Sequence, residues 1–140
     1  MTDDAVTCAH RSKTVAGALA LFAGPLGAHR LYLGARGWWV HPLLSLPAMA
    51  IALRAEPWFR HPGFVLAAAV ALAAMLEAIV ICLTPDAKWD AQRNAGSGRR
   101  SASGWPAVLI AMASLILGAT LMMSVLAIAL ETLFVSMPGR

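Results

Sequence analysis

The chain has 140 residues, of which 59% are hydrophobic and only 13% charged, with a mean hydropathy of +0.69; soluble domains run at roughly 45–50% apolar and about 25% charged. That balance excludes an ordinary water-soluble domain and points to a membrane protein. The net charge of +4 is scattered between apolar segments rather than gathered on one amphipathic face, so anionic lipid headgroups account for it better than nucleic acid does.

A hydrocarbon core of about 30 Å takes about 20 helical residues to cross, with every backbone polar group paired internally. The apolar runs here are long and do not alternate, which favours helices over barrel strands. The first follows Arg11 and Lys13: residues 14–28 carry no charge, and the run extends toward Leu33. The second covers 37–53, the third 63–83 with a single charge, and the fourth 105–130 with none. These segments predict an all-α integral membrane protein, four transmembrane helices in a small bundle with the first two as a hairpin. The implied organisation is a helix pair at 11–53, a third helix with its preceding loop at 54–83, a flexible basic linker at 84–104 and a fourth helix at 105–137.

Local chemistry modulates these elements. Gly24-Pro25 interrupts the first segment, and Pro42 and Pro47 interrupt the second, so kinks are expected there, each proline lacking an amide donor and crowding the preceding turn. Glycine and serine between Asn94 and Gly104 read as a mobile connection. Trp38, Trp39, Trp58, Trp89 and Trp105 fall near segment ends, where amphipathic rings favour the headgroup level. A secretory signal peptide is the competing reading of the N-terminal run; the run is long for one, starts late, and continues into another apolar segment.

Four crossings place Arg11, Lys13, Arg54, Arg60 and Arg140 on one side and Arg30, Arg36, Lys88, Arg93, Arg99 and Arg100 on the other. Five against six leaves orientation undecided, because the positive-inside rule needs a clear excess. Glu77 lies inside the third segment, where a charge demands a partner or water. With the second helix starting on the side where the third ends, His41 and Glu77 fall at depths of ~6 and ~9 Å, and Arg30 enters from the same side. A polar cluster of Arg30, His41 and Glu77 is therefore expected, either as a register-fixing ion pair or as a proton or ion relay. Glu131 is expected at the opposite face near Arg11, Lys13 or Arg54.

Small residues recur at helical spacing: Ala16, Ala20, Gly24 and Ala28; Ala67 and Ala71; Ala74 and Ala78; Ser114 and Gly118. Such faces let helices approach closely, within the chain or between copies in a homo-oligomer. Cys8 and Cys82 fall near opposite faces under four crossings, which excludes a disulfide between them. The histidines, His10 and His61 on one side and His29 and His41 on the other, have no carboxylate or cysteine at recognised ligand spacing. Neither a metal nor a cofactor is expected, and the sequence lacks the spacing of a zincin, a nucleophile elbow, a P-loop or a dinucleotide fingerprint. No catalytic residue is assigned, and the chain is not read as an enzyme.

The stretch from Lys13-Thr-Val-Ala through Gly24-x-x-Gly27-Ala-His-Arg-x-Tyr-x-Gly34 resembles the TM2 domain, a family of paired transmembrane helices joined by a short polar turn. The resemblance spans residues 11–53 and rests on Gly24, Gly27, His29, Arg30, Tyr32 and Gly34. Leu31 stands where members usually carry phenylalanine, and His41, Pro42 and Pro47 depart from the pattern. The resemblance implies a small integral membrane protein, in bacteria mostly without assigned activity, and places His29 and Arg30 on the cytoplasmic side as in animal members. Three functions follow. The leading one is a non-enzymatic structural or partner-recruiting module of the bacterial inner membrane. A small channel or transporter through Arg30, His41 and Glu77 is the second, and binding of anionic lipid by the basic turn the third.

Overall fold

α4 (Pro62–Leu83) is the element on which α1 (Lys13–Ala23), α3 (Val40–Ala52) and α6 (Gly104–Ser136) all pack in the computed structural model, which describes residues 10–136. Two shorter helices, α2 (Ala28–Tyr32) and α5 (Asp86–Arg93), and two 3₁₀ turns (Gly24–Leu26 and Trp58–Arg60) complete it, and the described residues contain no strand. α4 and α6, with 22 and 33 residues, are long and apolar enough to cross a membrane; at 1.5 Å per residue they run ~33 and ~50 Å. The unbroken apolar stretch of α6 follows from the absence of any charge between Gly104 and Leu130.

The first segment does not run straight. α1 has 11 residues, ~16 Å, and stops where Pro25 lacks an amide to continue the helix. The chain then reverses. Gly27 adopts φ 67°, a left-handed conformation open to glycine, and a Cβ there would collide with the Trp38 carbonyl. α2 returns alongside α1 and ends in a Schellman motif, in which Gly34 N–H donates to Leu31 O (3.0 Å) and Ala35 N–H to Arg30 O (2.9 Å) with Gly34 left-handed at φ 69°. Ser12 N–H donates to the Tyr32 hydroxyl at 2.9 Å, and the Arg11 guanidinium donates to Leu33 O. The segment therefore enters and leaves at one end, the C-terminal end of α4, instead of leaving Lys13 and Arg30 on opposite sides.

A turn inside hydrocarbon is tolerated only where protein covers its backbone. Here Gly24 lies against Ala74, with no room for a side chain, and Ser45 on α3 donates its hydroxyl to Pro25 O at 2.7 Å. α3 begins near the level of Glu77 and runs toward the N-terminal end of α4, where Ala48 O meets Gly63. α1 and α3 thus cover successive halves of α4. Pro42 sits in the first turn of α3, where amides have no helical acceptor, while Pro47 lies inside the helix.

The small residues form the internal seams. Ala16, Ala20, Ala74 and Ala78 are fully buried, a Cβ at Gly17 would collide with the Cys82 sulfur, and a Cβ at Gly118 would stand 3.6 Å from the Met75 sulfur, in ordinary contact. From Ala119 to Ser136 no residue is buried; this half of α6 meets the rest of the chain through Leu121, which shares a groove with Ala67 and Ala68, and through Glu131 at Arg60. Cys82 is a buried free thiol. Cys8 lies outside the described residues, and the premise that separated it from Cys82 does not hold for the chain from His10 onward.

The connection at 84–104 is pinned rather than loose. Its first part is α5, signalled by Asp86 in the first turn and Arg93 in the last, both favourable to the helix dipole. Asp86 accepts from Lys13 Nζ (2.6 Å) and Ser103 Oγ (2.7 Å), and Asp90 accepts from Ser101 N–H at 2.7 Å. Trp89, expected as an interface anchor, is instead buried against Ala16 and Leu33, donating its indole N–H to Arg11 O at 2.9 Å. At the far end Glu131 pairs with Arg60, not with Arg11 or Lys13, which the re-entrant turn holds at the other end, nor with Arg54.

Gly27→Ala is expected to destabilise the protein by about 2 kcal/mol or more, from left-handed strain and the Trp38 collision, read as a lowered thermal midpoint in detergent. The Lys13 and Ser103 hydrogen bonds hold the Asp86 carboxyl at about 2, below its ordinary 3.8. A folded value below the unfolded one means a stabilising contribution complete above the unfolded value and lost as pH falls toward 2. Thermal midpoints measured from about pH 5 down to about pH 2 should fall less steeply in Asp86→Asn; Asp90, lowered by Ser101, supplies a remaining acid dependence.

Candidate functional site: a polar cluster on Glu77

Glu77 interrupts the apolar run of α4 six residues before Leu83, on the side covered by the return of the hairpin. Helix α2 begins one residue after the Gly27 reversal, which directs His29 and Arg30 back onto α4. Arg30 Nε donates to Glu77 Oε2 at 3.0 Å, and its terminal nitrogen donates to Oε1. This two-point contact uses the planar fork that distinguishes arginine from lysine. His29 Nε2 lies 2.6 Å from Glu77 Oε2, and His41 Nε2 lies 4.0 Å from Oε1.

Burial divides the four groups. His29 is 0% and His41 7% exposed, while the side chains of Arg30 and Glu77 are 35% and 30% exposed. The two imidazoles meet edge to face at 5.6 Å. The Nδ1 atoms of both rings are buried without a hydrogen-bond partner among the described residues. Two grooves open beside the ion pair. One of about 380 Å³ runs past Leu33, Leu76 and Val80 to Arg93, and the other, about 350 Å³, past Val40, Leu44 and Ala73.

Of the residues singled out from sequence, Arg30, His41 and Glu77 lie together, and His29 joins them. Gly27 and Gly34 shape the turns on either side of α2, Gly24 permits the close approach to α4, and the Tyr32 hydroxyl accepts the Ser12 amide. Sequence reasoning missed the placement of His29 in the cluster and the role of Ser45. A sharper reading of Gly24-Pro25 as a chain reversal would have brought His29 and Arg30 to the same depth as Glu77. Nothing around Ser45 signals its acceptor, which lies twenty residues upstream.

Arg30→Gln and Glu77→Gln are each expected to lower stability by about 2 kcal/mol, less than the roughly 3–5 kcal/mol of breaking a fully buried pair because both ends are partly exposed. A double-mutant cycle on unfolding in detergent should show coupling of at least ~1 kcal/mol. The charge-reversed pair Arg30→Glu with Glu77→Arg should recover part of what Arg30→Glu alone loses, and additivity would mean that Glu77 does not hold Arg30.

Residues 9–52 match the family model described as TM2 domain. Comparison with curated proteins and with solved structures finds no match. The matched stretch holds α1, the Gly24 to Gly27 reversal, α2 and α3, with the glycines, His29, Arg30 and Tyr32 all inside it. The chain is thus helical throughout its described residues, with two helices long and apolar enough to cross a membrane, and it is similar to the TM2 domain over residues 9–52, with α4, α5 and α6 beyond the matched stretch.

Proposed function

We propose that the chain is a non-enzymatic multi-pass protein of the bacterial inner membrane, in which the TM2 domain is a structural and partner-recruiting module. The observation that carries this reading is the engagement of Arg30 and His29 on Glu77: the polar groups of the turn face protein and lock the domain onto α4. In this reading the domain is a re-entrant hairpin followed by α3, and α3, α4 and α6 make three crossings in place of the four expected from hydropathy. The largely exposed half of α6 beyond Gly118 is the face for a partner helix, from another membrane protein or a second copy of this chain.

Re-entry also breaks the tie in charge. Arg11, Lys13, Arg36, Lys88, Arg93, Arg99 and Arg100 fall at the hairpin end, and only Arg54 and Arg60 at the other, among the described residues. Seven against two supports a cytoplasmic position for the hairpin, α5 and the linker under the positive-inside rule, facing anionic lipid. The second reading, an ion or proton path, is favoured by the two grooves that flank Arg30 and Glu77.

One experiment set separates these. Photo-crosslinkers at Met122 and Leu126 in native membranes should capture a reproducible partner, while liposomes holding the pure protein stay silent to proton flux. Flux that Glu77→Gln abolishes would replace the leading reading with the second. In a cysteine-free background, a cysteine at Ala55 should react with an impermeant thiol reagent outside intact cells and one at Ser97 should not; the reverse labelling would overturn the orientation.

A further inference from the structure

The bond between Arg30 and Glu77 explains the register of the hairpin, but it does not explain the two histidines. His29 and His41 are more than nine-tenths buried, each presents Nε2 toward the Glu77 carboxylate, and each has an Nδ1 without a partner among the described residues. Two imidazoles and one carboxylate also form the donor set of first-row transition ions, with three protein ligands leaving a fourth position open.

The distances are close to what such an ion requires. One ligand atom from each of His29, His41 and Glu77 lies within 4.8 Å of the others. Ligand bonds of roughly 2.0–2.2 Å in tetrahedral geometry set donors about 3.3–3.5 Å apart. His29 Nε2, at 2.6 Å from the carboxylate, would have to open, and His41 Nε2, at 4.0 Å, to close. These two distances run to the two oxygens of the carboxylate, Oε2 and Oε1, so the carboxylate must turn to offer one oxygen to both rings, and movements of about 1–1.5 Å bring the three donors to ligand spacing. The ligands come from α2, α3 and α4, three separate elements, which is why no sequence spacing announces them.

We infer that His29, His41 and Glu77 form a binding site for a divalent transition-metal ion of the zinc class, with Arg30 as the cation that competes for Glu77. Binding replaces the hydrogen bond between His29 and Glu77 and places Nε2 of both rings and one carboxylate oxygen on the ion. Two features set the strength. Neither Nδ1 has the acceptor that normally orients a ligating imidazole, a deficit worth about 10–100-fold in affinity. Arg30 beside a doubly charged ion is repelled in a poorly screened site, and its partly exposed side chain has the 380 Å³ groove to move into. The site is therefore exchangeable rather than structural, and ion occupancy loosens the grip of the hairpin on α4.

The test uses the full chain in nanodiscs, stripped with chelator and titrated with Co²⁺, whose ligand-field absorption reports coordination. The wild type should bind one Co²⁺ per chain at this site. His41→Gln and Glu77→Gln should each weaken binding at least about tenfold, and Arg30→Gln should tighten it several-fold. The double variant His10→Gln with His61→Gln should bind as the wild type does. His41→Gln is the deciding variant, since the fully buried His29 is the one whose replacement can prevent folding. Wild-type affinity in His41→Gln, an absorption that never develops in the wild type, or weaker binding in Arg30→Gln would each overturn the site. Those failures would leave the structural-module reading standing, because that reading is measured by crosslinking and flux.

Discussion

An ionised carboxylate six residues inside the end of an apolar helix is unstable in hydrocarbon unless a cation and hydrogen-bond donors reach it, and meeting that demand at Glu77 shapes the first third of the chain. The cation is Arg30, which can reach α4 at that depth only if the polypeptide goes in and comes back. α1 must be short, the reversal must be tight, and α2 must return with His29 and Arg30 on its α4-facing side. The Gly24, Pro25 and Gly27 turn supplies this geometry, and Ser45 supplies the donor that keeps the Pro25 carbonyl from facing lipid unpaired.

The same reversal organises the cytoplasm-facing end in the proposed orientation. Bringing Arg11 and Lys13 back beside the end of α4 puts them against Thr84, Asp86, Trp89 and Asn94. There, α5 and the serines that follow it close the bundle with hydrogen bonds around the buried Trp89 ring. The division follows solvent: small residues and close contact where water is absent, directional polar bonds where the chain meets the headgroups. A buried ion pair adds little net stability but is costly to break. Its value at Arg30 and Glu77 is that only one depth of the hairpin satisfies it.

Much of this was legible in the residues. α4 and α6 appear within one residue of their apolar runs at 63–83 and their start at 105, since length and hydropathy alone specify a helix in a bilayer. Arg30, His41 and Glu77 could be brought together on paper because the antiparallel order of α3 and α4 sets both depths. The fate of the first segment could not, because hydropathy does not distinguish fifteen apolar residues that continue from fifteen that turn at a glycine-proline step. α5 was hidden by the polar, glycine-rich composition around it, and Trp89 looked like an interface ring because its acceptor, the Arg11 carbonyl, comes from seventy-eight residues away.

By itself, then, the sequence determined the solvent of this protein, its helical class, its two long apolar helices and the TM2 stretch, all of which depend on local composition and spacing. Only the tertiary structure decided that the matched segment reverses at Gly24 to Gly27, that Glu131 meets Arg60, and that two histidines from α2 and α3 converge on one carboxylate of α4. Those outcomes depend on which carbonyl, charge or ring finds a partner across tens of residues. In a bilayer every backbone polar group must find one and a charge needs a counter-charge or water, so the long-range pairings, not the hydropathy, set the path of the chain.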